Sequence, residues 1–255
     1  MEQKTNSSCE ACPQYDPKGL KKLGEDTSSH DFVVALAGNP NTGKSTVFNA
    51  LTGLRQHTGN WPGKTVARAE GAFAYADKKF KLVDLPGTYS LLSTSQDEEV
   101  ARNFILFGKP SVTIIVADAN RLERNLNLVL QVLEITDTSV LYLNLMDEAK
   151  RNRIEIDVRT LSRDLGIPVV PASARYNRGI PELIQTVYQL AMGEITCKPH
   201  RIQNVPENIR RSVKILEAEL EKTYPGLPNK RWIAFRLLEG DQHIINALKS
   251  GELVS

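Results

Sequence analysis

The octapeptide GNPNTGKS, residues 38–45, has the spacing G-x-x-x-x-G-K-[ST]. Between a strand and a helix, glycine-permitted turns at such a stretch aim backbone amides at phosphate oxygens, at the positive end of the helix dipole. Gly38, Asn39, Pro40, Asn41, Thr42, Gly43, Lys44, Ser45 and Thr46 are therefore candidate nucleotide contacts, with Lys44 reaching the β- and γ-phosphates and the Ser45 hydroxyl ligating Mg2+. Asp84 closes the apolar run FKLVD and opens DLPG, where its carboxylate can hold a Mg2+-bound water and Gly87 can approach the γ-phosphate. Thr65, in GNWPGKTVA, is a candidate second Mg2+ ligand from a mobile loop. In nucleotide-hydrolysing switch proteins a glutamine close behind the DxxG glycine orients the attacking water. Here Thr88, Tyr89 and Ser90 follow Gly87, and the next glutamine is Gln96. Either the chain does not hydrolyse nucleotide or another group handles the water.

A second set of residues has the chemistry of base recognition. NLMD, residues 144–147, closes the run SVLYLNL. The Asp147 carboxylate can accept the N1 and N2 hydrogens of guanine, whereas adenine would leave a desolvated acid unpaired. Asn144 can bond the purine edge and tie neighbouring loops together, and the Met146 thioether can cover a purine face. Ser173, Ala174 and Arg175 follow the next strand, where the Ala174 amide would meet the guanine carbonyl oxygen.

The elements that must position these groups alternate. FVVALAG, the pair within KTVARAEGAFAYADKKFKLVD, SVTIIVAD, SVLYLNL and IPVVPAS read as strands, with a turn around Asp77. KSTVFNALTG, DEEVARNFILFG, LERNLNLVLQVLEIT, VRTLSRDLG and GIPELIQTVYQLAMG read as helices, the first two closed by Gly53 and Gly108. Alternation of this kind predicts an α/β domain with a mostly parallel sheet and helices on both faces. It stops near Gly193, and after Pro206 the pattern is helical only. The expected organisation is a flexible extension over 1–30, a nucleotide-binding domain over 31–194 and a small all-helical domain over 195–255.

Bulk properties bound the partners. The 255 residues carry 24% charged and 41% hydrophobic side chains, the proportions of a globular protein. A net charge of +2, with Lys and Arg interleaved among acids, argues against a nucleic-acid partner. FVVALA and TIIVA are much shorter than the run of about 20 residues that spans a bilayer, so the chain itself is expected to be soluble. The polar N-terminus lacks the apolar core of a secretory signal. Three cysteines, an odd number, fit a reducing cytoplasm better than a disulfide framework.

Taken together, GNPNTGKSTVFNALTG, GNWPGKTV, DLPGTYSL, DEEVARNFIL, DANRLERNLNLVLQ, NLMDEA and VPASAR resemble the cytosolic GTPase module of FeoB-type ferrous iron transporters, over about residues 32–250. The resemblance implies a Ras-like P-loop GTPase fold followed by a helical domain that slows GDP release. It further implies Mg2+-dependent hydrolysis of GTP to GDP and phosphate on the cytoplasmic face of the bacterial inner membrane, serving Fe2+ uptake. The partners would be GTP or GDP and a transmembrane iron-permeation domain of the same longer protein, with oligomerisation in the membrane left open. It also supplies an answer to the missing glutamine. In related potassium-activated GTPases an asparagine at the Asn41 position, with backbone carbonyls at the Gly59 and Trp61 positions, holds K+ against the phosphates. The catalytic set implied is then Asn41, Lys44, Thr65 and Gly87. Two alternatives stand beside it: a nucleotide-sensing switch whose hydrolysis is incidental, and an RNA-associated potassium-dependent GTPase.

Outside the resemblance, Cys9 and Cys12 form C-x-x-C, which lacks the four ligands of a structural zinc site. His57 is expected to be a solvated loop residue. Trp232 and Phe235, at i and i+3, are expected in the core of the helical domain.

Overall fold

A computed structural model describes residues 17–26, 28–53, 56–92, 95–201 and 205–250. The elements are, in chain order, α1 (Pro17–Lys22), β1 (Phe32–Gly38), α2 (Lys44–Thr52), β2 (Gln56–Asn60), β3 (Ala67–Tyr75), β4 (Lys78–Asp84), α3 (Gln96–Gly108), β5 (Val112–Asp118), α4 (Leu122–Ile135), β6 (Ser139–Asn144) and α5 (Met146–Arg151). They continue with α6 (Val158–Leu165), β7 (Val169–Pro171), α7 (Ile180–Ala191), α8 (Glu207–Thr223), α9 (Lys230–Leu238) and α10 (Gln242–Lys249).

The strands form one sheet in the order β2-β3-β4-β1-β5-β6-β7. β1 pairs in parallel with β4 and β5, and β5–β6 and β6–β7 are also parallel, while β2–β3 and β3–β4 are antiparallel. Alternation along β1 divides the core. Val33, Ala35 and Ala37 join one apolar layer with Phe104, Leu128, Val129 and Leu133 of α3 and α4, whereas Val34 and Leu36 join Phe48, Leu51, Leu183 and Val187 of α2 and α7 on the other face. Strands covered on both faces read as continuous apolar runs, as β1, β5 and β6 do. Phe80 of β4 is fully buried and stacked between Phe32 and Phe73, with ring centroids 5.3 and 4.9 Å away.

The three C-terminal helices close on their own small core of Val213, Leu220, Leu227, Ile233, Ala234, Ile244 and Leu248. Phe107 of α3 and Trp232 of α9 pack against both this core and the sheet-side layer, so they join the two bodies. Trp232 is thus half-buried at that joint, while Phe235 packs against the helical core, as expected. No helix among the described residues is long and apolar enough to cross a membrane.

Three expectations change. Residues 17–26, expected within a flexible extension, are packed: Leu20 is fully buried in the sheet-side layer and the Glu25 side chain meets Arg68 and Lys81. The stretch is short and its few apolar residues do not repeat, so it carried no periodic signal. The rest of that stretch through residue 16, including Cys9 and Cys12, lies outside the described residues. The boundary placed at residue 195 falls later, because Lys198 and His200 amides still bond to Gly166 and Leu165 carbonyls at 2.9 and 3.1 Å. The GNWPG loop begins not as free loop but in β2, an exposed edge strand whose polar sequence QHTGN shows no alternation.

Phe80→Ala should cost about 3–5 kcal/mol by emptying the stack between Phe32 and Phe73. Urea unfolding checks this, and a midpoint close to that of the parent chain would refute it.

Candidate functional site

β1 delivers Gly38 to the sheet edge, where a Cβ would lie 2.7 Å from the Val116 carbonyl of β5. The turn that follows uses positive φ at Asn41 (65°) and Gly43 (84°), and the Thr42 hydroxyl donates to the Asn39 carbonyl at 2.9 Å. Gly43 stands at the cap position of α2, and no side chain caps that helix. Its first amides therefore face an anion site with no protein partner competing for them. Ser45 and Thr46 lie exposed in the first turn. Lys44 reaches across to Asp84 at 2.5 Å, with both side chains largely buried. Burial pushes the Asp84 carboxyl above its ordinary range, and the Lys44 ammonium pulls it partway back. This pair is what a phosphate and a cation between them would separate.

The DLPG segment runs alongside β1. Leu85 donates to the Leu36 carbonyl at 3.0 Å and Thr88 to the Gly38 carbonyl at 3.3 Å. A Cβ on Gly87 would lie 3.5 Å from the backbone of Pro40, so the glycine sits directly over the phosphate loop. Thr88 is buried, and Tyr89 is exposed beneath the Arg124 guanidinium at 4.4 Å. Arg124, Asn127 and Gln131 fall on one face of α4. Asn127 donates to the Tyr89 carbonyl at 3.4 Å, and Gln131 accepts from the Leu91 amide at 2.6 Å. That face fixes the course of the chain after Gly87, and the sequence reading missed it because nothing in α4 alone marks which neighbour its polar side chains meet.

The candidate base-recognition residues gather around Asn144, at the end of β6 and only 1% exposed. Its Nδ2 donates to the Thr42 carbonyl at 2.9 Å and its Oδ1 accepts from the Ala174 amide at 2.9 Å. The expected tie between loops is present. The expected free Ala174 amide is not, because Asn144 takes it. Gly43 is required here, since a Cβ would fall 2.4 Å from Asn144 Nδ2. The Asp147 amide donates to the Ser173 hydroxyl at 3.2 Å, and its carboxylate meets Arg151 at 3.1 Å. Burial disfavours the ionised form of Asp147, but the Ser173 hydroxyl, the backbone and Arg151 outweigh it and hold the group below the usual carboxylate range. Arg175 is exposed. Met146 lines a cleft together with Asp147, Ser173, Ile154 and Ile156, on the side of the candidate base-recognition residues. It is Leu145, at φ 62°, that lines the cleft of about 720 Å3 beside Asn41, Thr42 and Gly43. Its left-handed backbone, which leucine rarely adopts, could not be read from composition.

The structure does not bring the remaining candidates to the phosphate loop. Gly59 lies in β2 opposite Arg68, Trp61 is buried with its carbonyl accepting from the Lys64 amide at 3.0 Å, and Thr65 is exposed beside Gln96. Among the described residues no hydrogen bond joins Gly59, Trp61 or Thr65 to residues 38–46. His57 is exposed on β2, as expected.

Residues 32–187 match the family described as ferrous iron transport protein B, and residues 206–255 match the FeoB cytosolic helical domain. The Fe(2+) transporter FeoB of Salmonella typhimurium is 42% identical over 215 residues, covering 82% of this chain but 27% of that protein. The chain thus spans about a quarter of the length of such relatives. The cytosolic domain of L. pneumophila FeoB superimposes with a TM-score of 0.77 at 36% identity, covering 87% of each chain. The cytosolic domain of the T. maritima FeoB iron transporter in its GMPPNP form gives a TM-score of 0.75 at 37% identity, covering 84% of each chain.

Asn144→Ala leaves the Thr42 carbonyl and the Ala174 amide unpaired in a buried site, at about 1–3 kcal/mol for each group. Denaturant unfolding should show that loss together with a GDP affinity reduced at least tenfold; unchanged affinity would show that the junction does not position the base.

Proposed function

The chain belongs to the FeoB family, and from that premise we propose that it binds and hydrolyses GTP as the module that regulates or drives Fe2+ uptake by a longer membrane protein. The observation that carries this reading is the single buried junction at Asn144, which joins the phosphate loop to the loops bearing Asp147 and Ala174. It supports a reading in which Asp147 discriminates guanine while residues 38–46 cradle the phosphates, since the two loops are tied through one side chain.

The residues present suit Mg2+. Asp84 ends β4 and Ser45 stands in the first turn of α2, which follows β1, the parallel neighbour of β4; both are hard oxygen donors, and among the described residues the largely buried Asp84 has Lys44 as its one ion-pair partner. Ser45 would hold the ion directly, Asp84 through a water, and Thr65 from the switch loop once that loop has moved. When bound, the ion neutralises charge on the β- and γ-phosphates. Lys44 then exchanges Asp84 for phosphate oxygens. The amides of residues 41–46 orient the phosphate chain, Gly87 lets the DLPG backbone close on its end, and Asp147 selects guanine.

K+ activation accounts for the absent glutamine. The Asn41 carboxamide oxygen and the carbonyls of Gly59 and Trp61 are donors of the kind K+ takes, although the Trp61 carbonyl is engaged by Lys64 as the loop now lies. Ligation by that set therefore requires the loop from Gly59 to Thr65 to be re-laid over the phosphates.

A second reading, in which nucleotide state matters and turnover is incidental, draws on one observation. Thr88 is buried and its amide is bonded to Gly38, so the residue after Gly87 presents no side chain to a water. A hydrolysis-dead variant of the full-length transporter that still takes up Fe2+ would favour it.

GTP turnover by this chain should be at least tenfold faster in K+ than in Na+ or Li+, and Asn41→Ala should abolish the difference. Equal rates in the three salts, or a K+ response that survives in Asn41→Ala, would remove the cation from the mechanism. Asp147→Asn should separately weaken GTP at least tenfold while leaving ATP as poor a competitor as before.

A further inference from the structure

Residues 17–26 precede the region that matches the family, yet they lie across the element whose movement the proposed mechanism needs. Leu20 is fully buried in the same layer as Trp61 and Phe104, whose rings meet edge to face at 5.5 Å. Its fit there is close, since a Cβ on Gly108 at the end of α3 would lie 2.9 Å from Leu20 Cδ2. Gly24 approaches Pro62 so nearly that a Cβ would fall 2.7 Å from the proline ring, and at φ 82° only glycine is at ease. The Gly24 carbonyl accepts from Arg68 at 3.1 Å. The buried Glu25 carboxylate meets Arg68 at 2.8 Å and Lys81 of β4 at 2.5 Å, and the Asp26 carbonyl takes a further bond from Lys81 at 3.0 Å. Arg68 in turn lies 5.0 Å over the Trp61 ring.

One end of these contacts is on fixed structure, α3, β4 and Arg68 of β3; the other is on Pro62 and on Trp61, which Arg68 covers. An element that touches a movable loop in one position only favours that position by whatever those contacts are worth. The seat of Trp61 needs such support. Its indole nitrogen is buried without a hydrogen-bond partner among the described residues, an arrangement that costs free energy for as long as it lasts. Side-chain burial and the Arg68 guanidinium offset that cost, and residues 20–25 hold both in place.

We infer that residues 17–26 form an intramolecular clasp that keeps the Trp61 loop docked on α3, away from the nucleotide, so that its release sets how readily the loop closes over bound GTP. This inference rests on the proposed role of the Gly59–Thr65 loop. The clasp acts by position: among the described residues no hydrogen bond or ion pair joins residues 19–26 to residues 38–46.

The full chain labelled with 5-fluorotryptophan gives one 19F resonance for each of its two tryptophans, Trp61 and Trp232, assigned with Trp232→Phe. In nucleotide-free protein, Glu25→Gln and Gly24→Ala should each at least double the H2O/D2O isotope shift of the Trp61 signal. Glu25→Gln should also lower the GMPPNP concentration at half-saturation at least threefold. Glu70→Gln is the control: Glu70 pairs with the same Arg68 and Lys81 and repels Glu25, but among the described residues it makes no hydrogen bond or ion pair with residues 17–26, and its loss should leave the Trp61 signal as in the parent chain. A Trp61 signal as shielded in Glu25→Gln as in the parent, or an equal exposure in Glu70→Gln, would overturn the clasp; if Gly24→Ala does not fold, Glu25→Gln decides. Failure of the underlying reading shows separately, as a parent Trp61 resonance that does not shift on adding GMPPNP with Mg2+ and K+, and that result would overturn the gate whatever the variants do.

Discussion

The order of the phosphate end depends on one buried carboxamide. β1, β5, β6 and β7 are parallel, so the loops that follow them gather at a single rim of the sheet. Loops brought together in this way carry backbone groups that water cannot reach and that no strand pairs. Asn144 satisfies two of them at once, a carbonyl of the phosphate loop and an amide of the Ala174 turn. Aspartate could not donate to Thr42 and serine could not span both, so the position demands a short side chain with a donor and an acceptor. The consequence runs backwards along the chain. Because Asn144 occupies the space above it, residue 43 can have no side chain. Two motifs a hundred residues apart in the sequence are thus one hydrogen-bonded object.

What could be read in the sequence follows from which forces act locally. The strands of the parallel core were legible because burial on both faces demands unbroken apolar runs, and the helices because burial on one face demands a stripe. The tie that Asn144 makes between loops was legible because the chemistry allows few residue types that can both donate and accept at that position. β2 was not, since an exposed edge strand is specified by its partner β3 and not by its own pattern. Nor was α1, whose fixed place comes from one leucine and one glutamate that meet residues far along the chain. The place of Leu145 beside the phosphate loop turns on a single positive φ, and local sequence gives no measure of backbone strain. The Ala174 amide was assigned to a ligand in the sequence reading because its competitor, Asn144, becomes a neighbour only in the fold.

Trp61 carries two demands that cannot be met at once. Its ring contributes to the core beneath α3, while the proposed mechanism asks for its backbone carbonyl at the phosphates. A large aromatic side chain gives a docked loop a definite seat, and an unpaired indole nitrogen keeps that seat from being very deep. A loop tied by a small polar residue would have no defined resting place, and one tied by a fully satisfied aromatic would have little reason to leave. The contacts around Trp61 therefore have the form expected of a two-position element, in which modest external terms decide the population.

The same logic bears on the missing glutamine. A side chain immediately after Gly87 that reached for water would need to be exposed and free to turn, but Thr88 is buried with its amide committed to Gly38, and Tyr89 is held under Arg124. The DLPG segment is thereby made into a fixed wall whose contribution is backbone proximity. The proposed mechanism therefore assigns the orienting of water and the neutralising of charge to the Trp61 loop. In the proposed mechanism a fixed segment after Gly87 and a re-laid loop before Thr65 are two halves of one arrangement: the more firmly α4 holds the first, the more turnover would depend on how the second is held.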